Sequence, residues 1–149
     1  MRNQRLWRVS LVAAGVLEFG MVMAHFGLQY EWTGFDFGPL PRQLAWALLA
    51  LNFSWTVLLL AIVGLVLYAA RIGPTNRFAR KFVFIVGLFW AIHGAYVWLV
   101  PMALPERLAW LQFVLGAFPA TLIALHWIPL VACRPARAES SPIAIGHRL

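Results

Sequence analysis

Acidic residues and cysteine are scarce in this chain, and that scarcity narrows what the protein can be. Aspartate and glutamate together number five among 149 residues, against twelve lysines and arginines. Cys133 is the only cysteine, so an internal disulfide is excluded. Charged residues make up 11% of the chain and hydrophobic residues 62%, which excludes a soluble globular domain and a disordered chain. The sequence contains no CxxCH, no HExxH and no other familiar catalytic signature, so it names no reaction.

Four long apolar stretches account for most of the chain. They cover residues 9–29, 44–70, 82–100 and 108–132. Each has about 20 residues or more, enough for a helix to cross roughly 30 Å of hydrocarbon. The sequence therefore predicts an all-α integral membrane protein, a bundle of four transmembrane helices with antiparallel neighbours. We assign the transmembrane domain to residues 1–133 and a flexible cytoplasmic tail to residues 134–149.

The basic residues lie on one side of these predicted spans. Ten of the twelve are in the segment before the first span, in the loop between the second and third, or in the tail. By the positive-inside rule both termini are cytoplasmic, and the alanine-, arginine- and tryptophan-rich spans are typical of a bacterial inner-membrane protein. The net charge of +7 therefore indicates topology and contact with anionic lipid headgroups, and no nucleic-acid partner is expected.

Several polar side chains fall inside the predicted spans, where they are costly and suggest a function. At about 1.5 Å per residue, most of them reach one layer in the outer half of the membrane, with Glu18 beneath it near the midplane. This candidate polar site comprises Glu18, His25, Asn52, His93, Tyr96 and Gln112. Every span contributes at least one member. Trp55 and Trp90 flank the layer and are candidate walls of an apolar ligand pocket.

Other residues are expected to have structural roles. His126 lies toward the cytoplasmic end of span four, and we expect it at the interface, apart from the polar layer. The same end of the membrane should hold Trp7 and Trp127 in an aromatic belt, with Trp98 at the opposite interface. Small residues recur at four-residue spacing and predict close helix packing. These pairs are Gly20 with Ala24, Gly87 with Ala91, and Gly116 with Ala120.

Three kinds of function remain open. The leading expectation is a non-catalytic subunit or assembly partner of a larger membrane complex, bound to other membrane subunits or to itself. Its polar layer would then hold the helices together. Alternatively, His25 and His93 on spans one and three ligate haem b or a metal ion. A third possibility is an enzyme or carrier for a lipid, quinone or sterol, in which Glu18 and its neighbours exchange protons.

An absorption spectrum with metal analysis separates the cofactor hypothesis from the others. If haem or metal is bound, the chain purified in mild detergent has a Soret band or near-stoichiometric metal, and His25→Ala or His93→Ala removes it. The leading expectation predicts a colourless protein in which both variants lose stability. A Soret band that both variants retain would contradict ligation by these histidines.

Overall fold

The protein folds into four α-helices in a computed structural model that describes residues 2–33, 42–100, 106 and 109–133. The helices are α1 (Arg2–Thr33), α2 (Arg42–Ile72), α3 (Arg77–Leu99) and α4 (Ala109–Ala132). Each contains a segment long and apolar enough to cross a membrane. The prediction of an all-helical, four-span membrane protein is confirmed at this level. The predicted tail and most of the residues that connect α1 to α2 and α3 to α4 lie outside the described residues.

The helices extend beyond the apolar stretches because a helix boundary is set by capping and not by hydropathy. α3 begins at Arg77, five residues before the predicted start at Phe82. The side chain of Asn76 accepts a hydrogen bond from the Ala79 amide at 3.1 Å and caps the helix. Arg77 to Lys81 therefore form the first helical turn, at the membrane interface.

The turn between α2 and α3 depends on one glycine. Gly73 has a φ of +88°, in the left-handed region that costs glycine little. Its amide bonds to the carbonyl of Ala69 at 3.2 Å and closes the end of α2. The helix accordingly ends at Ile72, directly before Gly73 and Pro74.

The packing divides the bundle into two helix pairs. α1 packs along α2, and α3 packs along α4, each over an extensive surface. α1 also contacts α4, whereas α2 and α3 share the smallest interface. The helices thus form a ring in chain order, with α1 and α3 on one diagonal. The core contains buried side chains from all four helices, including Leu11, Val22, Leu59, Val66, Val83, Trp90 and Leu122.

At the basic end of the bundle, polar contacts tie the first helix to the second and fourth. Trp7 is 0% exposed, and its indole N–H donates to the carbonyl of Ala69 at 3.0 Å. We expected Trp7 in the aromatic belt at the interface. Its side chain is instead buried in the bundle, where the indole N–H bonds a carbonyl near the end of α2. The thiol of Cys133 donates to the carbonyl of Asn3 at 3.0 Å. Burial raises the pKa of the Cys133 thiol, which keeps it in the donating form.

Arg80 ties α3 to the end of α4. Its guanidinium donates to the carbonyls of Cys133 at 2.8 Å and Leu130 at 3.0 Å. These carbonyls are at a helix C-terminus, where the last acceptors lack intrahelical partners and a cation is favoured. The basic end is therefore closed by contacts that involve all four helices.

Two glycines leave space for a tryptophan on the facing helix, and we call each of these spaces a notch. A methyl group at Gly87 would overlap the indole of Trp127 on α4, and one at Gly116 would come within 2.7 Å of the ring of Trp98 on α3. Both tryptophans were expected in the aromatic belt. Trp98 is 62% exposed, and the rings of both also occupy the space that a side chain at the facing glycine would fill. Gly20 has nothing within 4 Å of the corresponding position and packs against no neighbour in the described chain.

We expect Gly87→Ala to destabilise the bundle by about 1–3 kcal/mol, the usual cost of overpacking a filled core. Gly64→Ala is the matched control, since Gly64 is also in the middle of a span and has nothing within 4 Å of the added methyl. It should leave stability unchanged or raise it by about 0.5–1 kcal/mol. Unfolding by SDS titration, followed by tryptophan fluorescence, measures both. Equal effects of the two substitutions would contradict the notch.

Candidate functional site

The centre of the bundle holds a buried carboxyl group. Glu18 on α1 is 0% exposed, and its Oε1 accepts a hydrogen bond from the indole N–H of Trp90 at 2.8 Å. Trp90 is on α3, so the bond crosses the diagonal of the ring through the core. Trp90, a candidate pocket wall in the sequence analysis, supplies the hydrogen-bond donor for the acid.

His126 on α4 faces the same carboxyl oxygen. Its Nε2 lies 3.5 Å from Oε1 of Glu18, and both side chains are 0% exposed. Its Nδ1 is 2.7 Å from the carbonyl oxygen of Leu122. A carbonyl only accepts, so Nδ1 carries a hydrogen and the neutral ring presents the lone pair of Nε2 to Glu18. In addition to the hydrogen on Nδ1, the pair needs only one proton to be neutral overall. That proton is either on the Glu18 carboxyl group or on Nε2 of His126.

This pair retains hydrogen-bonding capacity that its surroundings do not use. Oε2 of Glu18 and Nε2 of His126 are buried and have no hydrogen-bond partner within the described part of the chain. An isolated charge is costly in such a site, whereas a proton held between an acid and an imidazole leaves the pair without net charge. The geometry can therefore store a proton or pass it between α1 and α4. We call Glu18, Trp90 and His126 the central triad.

The depths of the three triad residues in the predicted spans are similar when all are counted from the same end of the bundle. Measured from the cytoplasmic ends of the predicted spans, Glu18 is nine residues deep, Trp90 eight and His126 six. At about 1.5 Å per residue these depths are roughly 14, 12 and 9 Å, within about one helical turn of each other. The expectation that His126 lies at the interface is corrected by its complete burial. Counting each polar residue from the same membrane face would have grouped the three.

His25 and Asn52 form a second polar contact, between α1 and α2. Oδ1 of Asn52 lies 2.7 Å from Nδ1 of His25, and the Asn52 amide donates to the backbone carbonyl of His25 at 3.1 Å. The amide oxygen only accepts, so Nδ1 of His25 carries a hydrogen and Nε2 is the atom left for a proton or a metal. Thr56 donates in turn to the carbonyl of Asn52 at 2.7 Å. Both the oxygen and the NH₂ group of the Asn52 side chain therefore bond His25 and join α2 to α1.

The remaining candidates lie in different surroundings. His93 is half-buried among aromatic rings, with centroids 6.3 Å from Trp55 and 5.6 Å from Trp90. Tyr96 is 61% exposed. Gln112 on α4 donates to the carbonyl of Val97 on α3 at 3.3 Å. The six predicted site residues thus divide among several contacts, and the structure brings His25 and Asn52 together and sets Glu18 with Trp90 and His126.

An open groove of about 510 Å³ runs along α2 beside the His25–Asn52 contact. It is lined by His25, Leu48, Leu51, Asn52, Ser54, Trp55 and Leu58. Among its polar side chains, Asn52 and His25 bond each other, and Ser54 donates to the carbonyl of Ala50 at 2.9 Å. The groove surface is largely apolar, and Trp55 forms part of its wall.

Within the described ranges, no three His, Cys, Asp or Glu side chains are grouped to hold a metal ion. Comparison with protein-family models, curated proteins and solved structures found no match.

We expect Glu18→Leu to destabilise the protein by about 1–3 kcal/mol, because it leaves the buried N–H of Trp90 without an acceptor. Glu18→Gln is the matched control. Its amide oxygen can accept from Trp90 at the position of Oε1, so its stability should stay close to that of the wild type. SDS unfolding measures both variants.

A double-mutant cycle tests whether the effect acts through the hydrogen bond. Trp90→Phe removes the donor, so Glu18→Leu should cost less in that background than in the wild type. If the cost of Glu18→Leu is the same in both backgrounds, the Glu18–Trp90 bond does not stabilise the bundle.

Proposed function

We propose that this protein is a non-catalytic subunit, or an assembly and stabilising partner, of a larger membrane complex. The observation that supports this is that the polar side chains inside the predicted spans bond one helix to another. The amide of Asn52 bonds His25, the indole of Trp90 bonds Glu18, and Gln112 bonds a carbonyl of α3. Each contact joins two helices, and these groups do not converge on one cavity as catalytic side chains would.

The proposal includes a location and a topology. The protein is a multi-pass component of a bacterial inner membrane with both termini in the cytoplasm and with antiparallel neighbouring helices. The basic residues at the α2–α3 turn support this orientation by the positive-inside rule. Two contacts support the antiparallel arrangement of α1 and α2. Trp7 bonds Ala69 and His25 bonds Asn52, so later residues of α1 meet earlier residues of α2.

The groove on α2 is the surface we assign to the partner. Leu51 is 72% exposed and Trp46 71% exposed on a helix that has its smallest contact with α3. An apolar transmembrane helix, from another subunit or from a second copy of this chain, would pack against this face by van der Waals contact. Polar side chains are not required for such packing, which fits the apolar character of the groove.

Photo-crosslinking in intact membranes tests this assignment. A photoreactive residue at Leu51 should give a discrete protein adduct, whereas the same residue at Phe113 should give lipid adducts only. Phe113 is a matched control because it is 71% exposed, on α4, and does not line the groove. Mass spectrometry of the adduct identifies the partner as another subunit or a second copy.

The absence of any protein adduct from Leu51 would contradict a partner on the groove. Protein adducts of equal yield from Leu51 and Phe113 would also contradict it, since they would indicate collisions and not a specific interface.

The groove itself favours a second candidate function, the binding of a lipid, quinone or sterol. Its volume of about 510 Å³ lies in the range of small-molecule sites, about 300–1,000 Å³, and the walls are apolar apart from the His25–Asn52 contact. In that case a lipophilic compound should co-purify at near-stoichiometric amounts and be lost in Leu58→Trp, which fills the groove. Mass spectrometry of solvent extracts measures it. The haem or metal hypothesis for His25 and His93 is tested by the absorption spectrum described above.

A further inference from the structure

We propose that a second groove, between α3 and α4 at the basic end, binds the headgroup and one acyl chain of an anionic phospholipid. The groove measures about 460 Å³ and is lined by Arg80, Lys81, Phe84, Trp127, Leu130 and Val131. We call it the basic groove. The proposal does not depend on the proposed function, because it concerns another face of the bundle and a different ligand.

The charges of the basic groove select an anion. Arg80 and Lys81 are both cationic, and none of the six lining residues is acidic. Both cations are in the first turn and a half of α3, at the end of a helix where the helix dipole also favours negative charge. Asn76 caps this helix, so the cations are held on a defined first turn.

Arg80 is fixed in place before any ligand binds. Two of its N–H groups donate to the carbonyls of Cys133 and Leu130 at the end of α4. A guanidinium has five N–H donors, so further donors remain for a phosphate. A cation that is already ordered loses little side-chain entropy on binding, which favours a specific site over a diffuse charge. Lys81 is exposed and adds a second, mobile charge.

The apolar part of the groove indicates a lipid as the source of the phosphate. Phe84 is one helical turn beyond Arg80, toward the middle of the span, and its ring stacks with Trp127 at a centroid distance of 6.2 Å. Val131 is 61% exposed beside it. A headgroup at Arg80 and Lys81 would thus place an acyl chain along Phe84 and Val131. A free phosphate would leave this apolar surface unused.

Native mass spectrometry of the full chain tests the site with two lipids that share their acyl chains. Phosphatidylglycerol should remain bound at one molecule per chain, and phosphatidylcholine should not. Lys81→Gln should weaken phosphatidylglycerol binding about fivefold, as expected for one basic residue near an anionic surface. Arg77→Gln is the matched control, because Arg77 is exposed on the same turn but does not line the groove. It should have a much smaller effect.

A groove-filling variant tests the acyl-chain part without changing the charge. Val131→Trp should abolish retention of phosphatidylglycerol, whereas Phe113→Trp, at a comparably exposed position on α4, should not. Circular dichroism and size-exclusion chromatography should show that both variants retain the wild-type fold.

Three results would overturn the proposal. Equal retention of the two lipids would exclude selection by charge. Equal weakening by Lys81→Gln and Arg77→Gln would indicate general surface attraction and no site. Displacement of the lipid by inorganic phosphate, together with normal binding in Val131→Trp, would indicate a site for phosphate alone.

Discussion

The hydrogen bond between Glu18 and Trp90 is the contact on which the organisation of the bundle depends. It joins α1 to α3 across the diagonal of the ring, and His126 brings α4 to the same carboxyl oxygen. A carboxyl group at this depth is tolerated only where other side chains share its proton or donate to it. Glu18 therefore restricts which faces of three helices can point inward. The apolar core could pack in several registers, but few of them would satisfy this acid.

The helices are held together by interhelical contacts at the basic end and in the middle of the bundle, whereas one face of α2 is left open. At the basic end, Trp7, Arg80 and Cys133 each bond a backbone carbonyl of another helix. The notches at Gly87 and Gly116 then bring α3 and α4 into close contact. Along α2 the side chains instead border an open apolar groove. The same four helices thus provide a rigid frame and a separate face that is free to pack against another hydrophobic surface.

The sequence predicted the four spans because twenty apolar residues and clustered arginines are strong, local signals. It also placed Asn52 and His25 in one layer of the membrane, although it did not say which members of that layer would be in contact. It did not predict that Trp7 would be buried or that Trp127 would pack against Gly87, since composition cannot distinguish a tryptophan at an interface from one that packs against a facing glycine. Nor did it pair His126 with Glu18. Such pairing depends on helix order and rotation, which are fixed by side-chain contacts far apart in the chain.

The position of the triad along the chain has a consequence for how the protein is made. Trp90 is 72 residues and His126 is 108 residues beyond Glu18, so both partners are synthesised long after α1 reaches the membrane. During that interval the first helix pair must carry a carboxyl group with neither of them. Only arrival of the second pair supplies the donor and the imidazole. The last step of assembly therefore joins the two helix pairs around this acid.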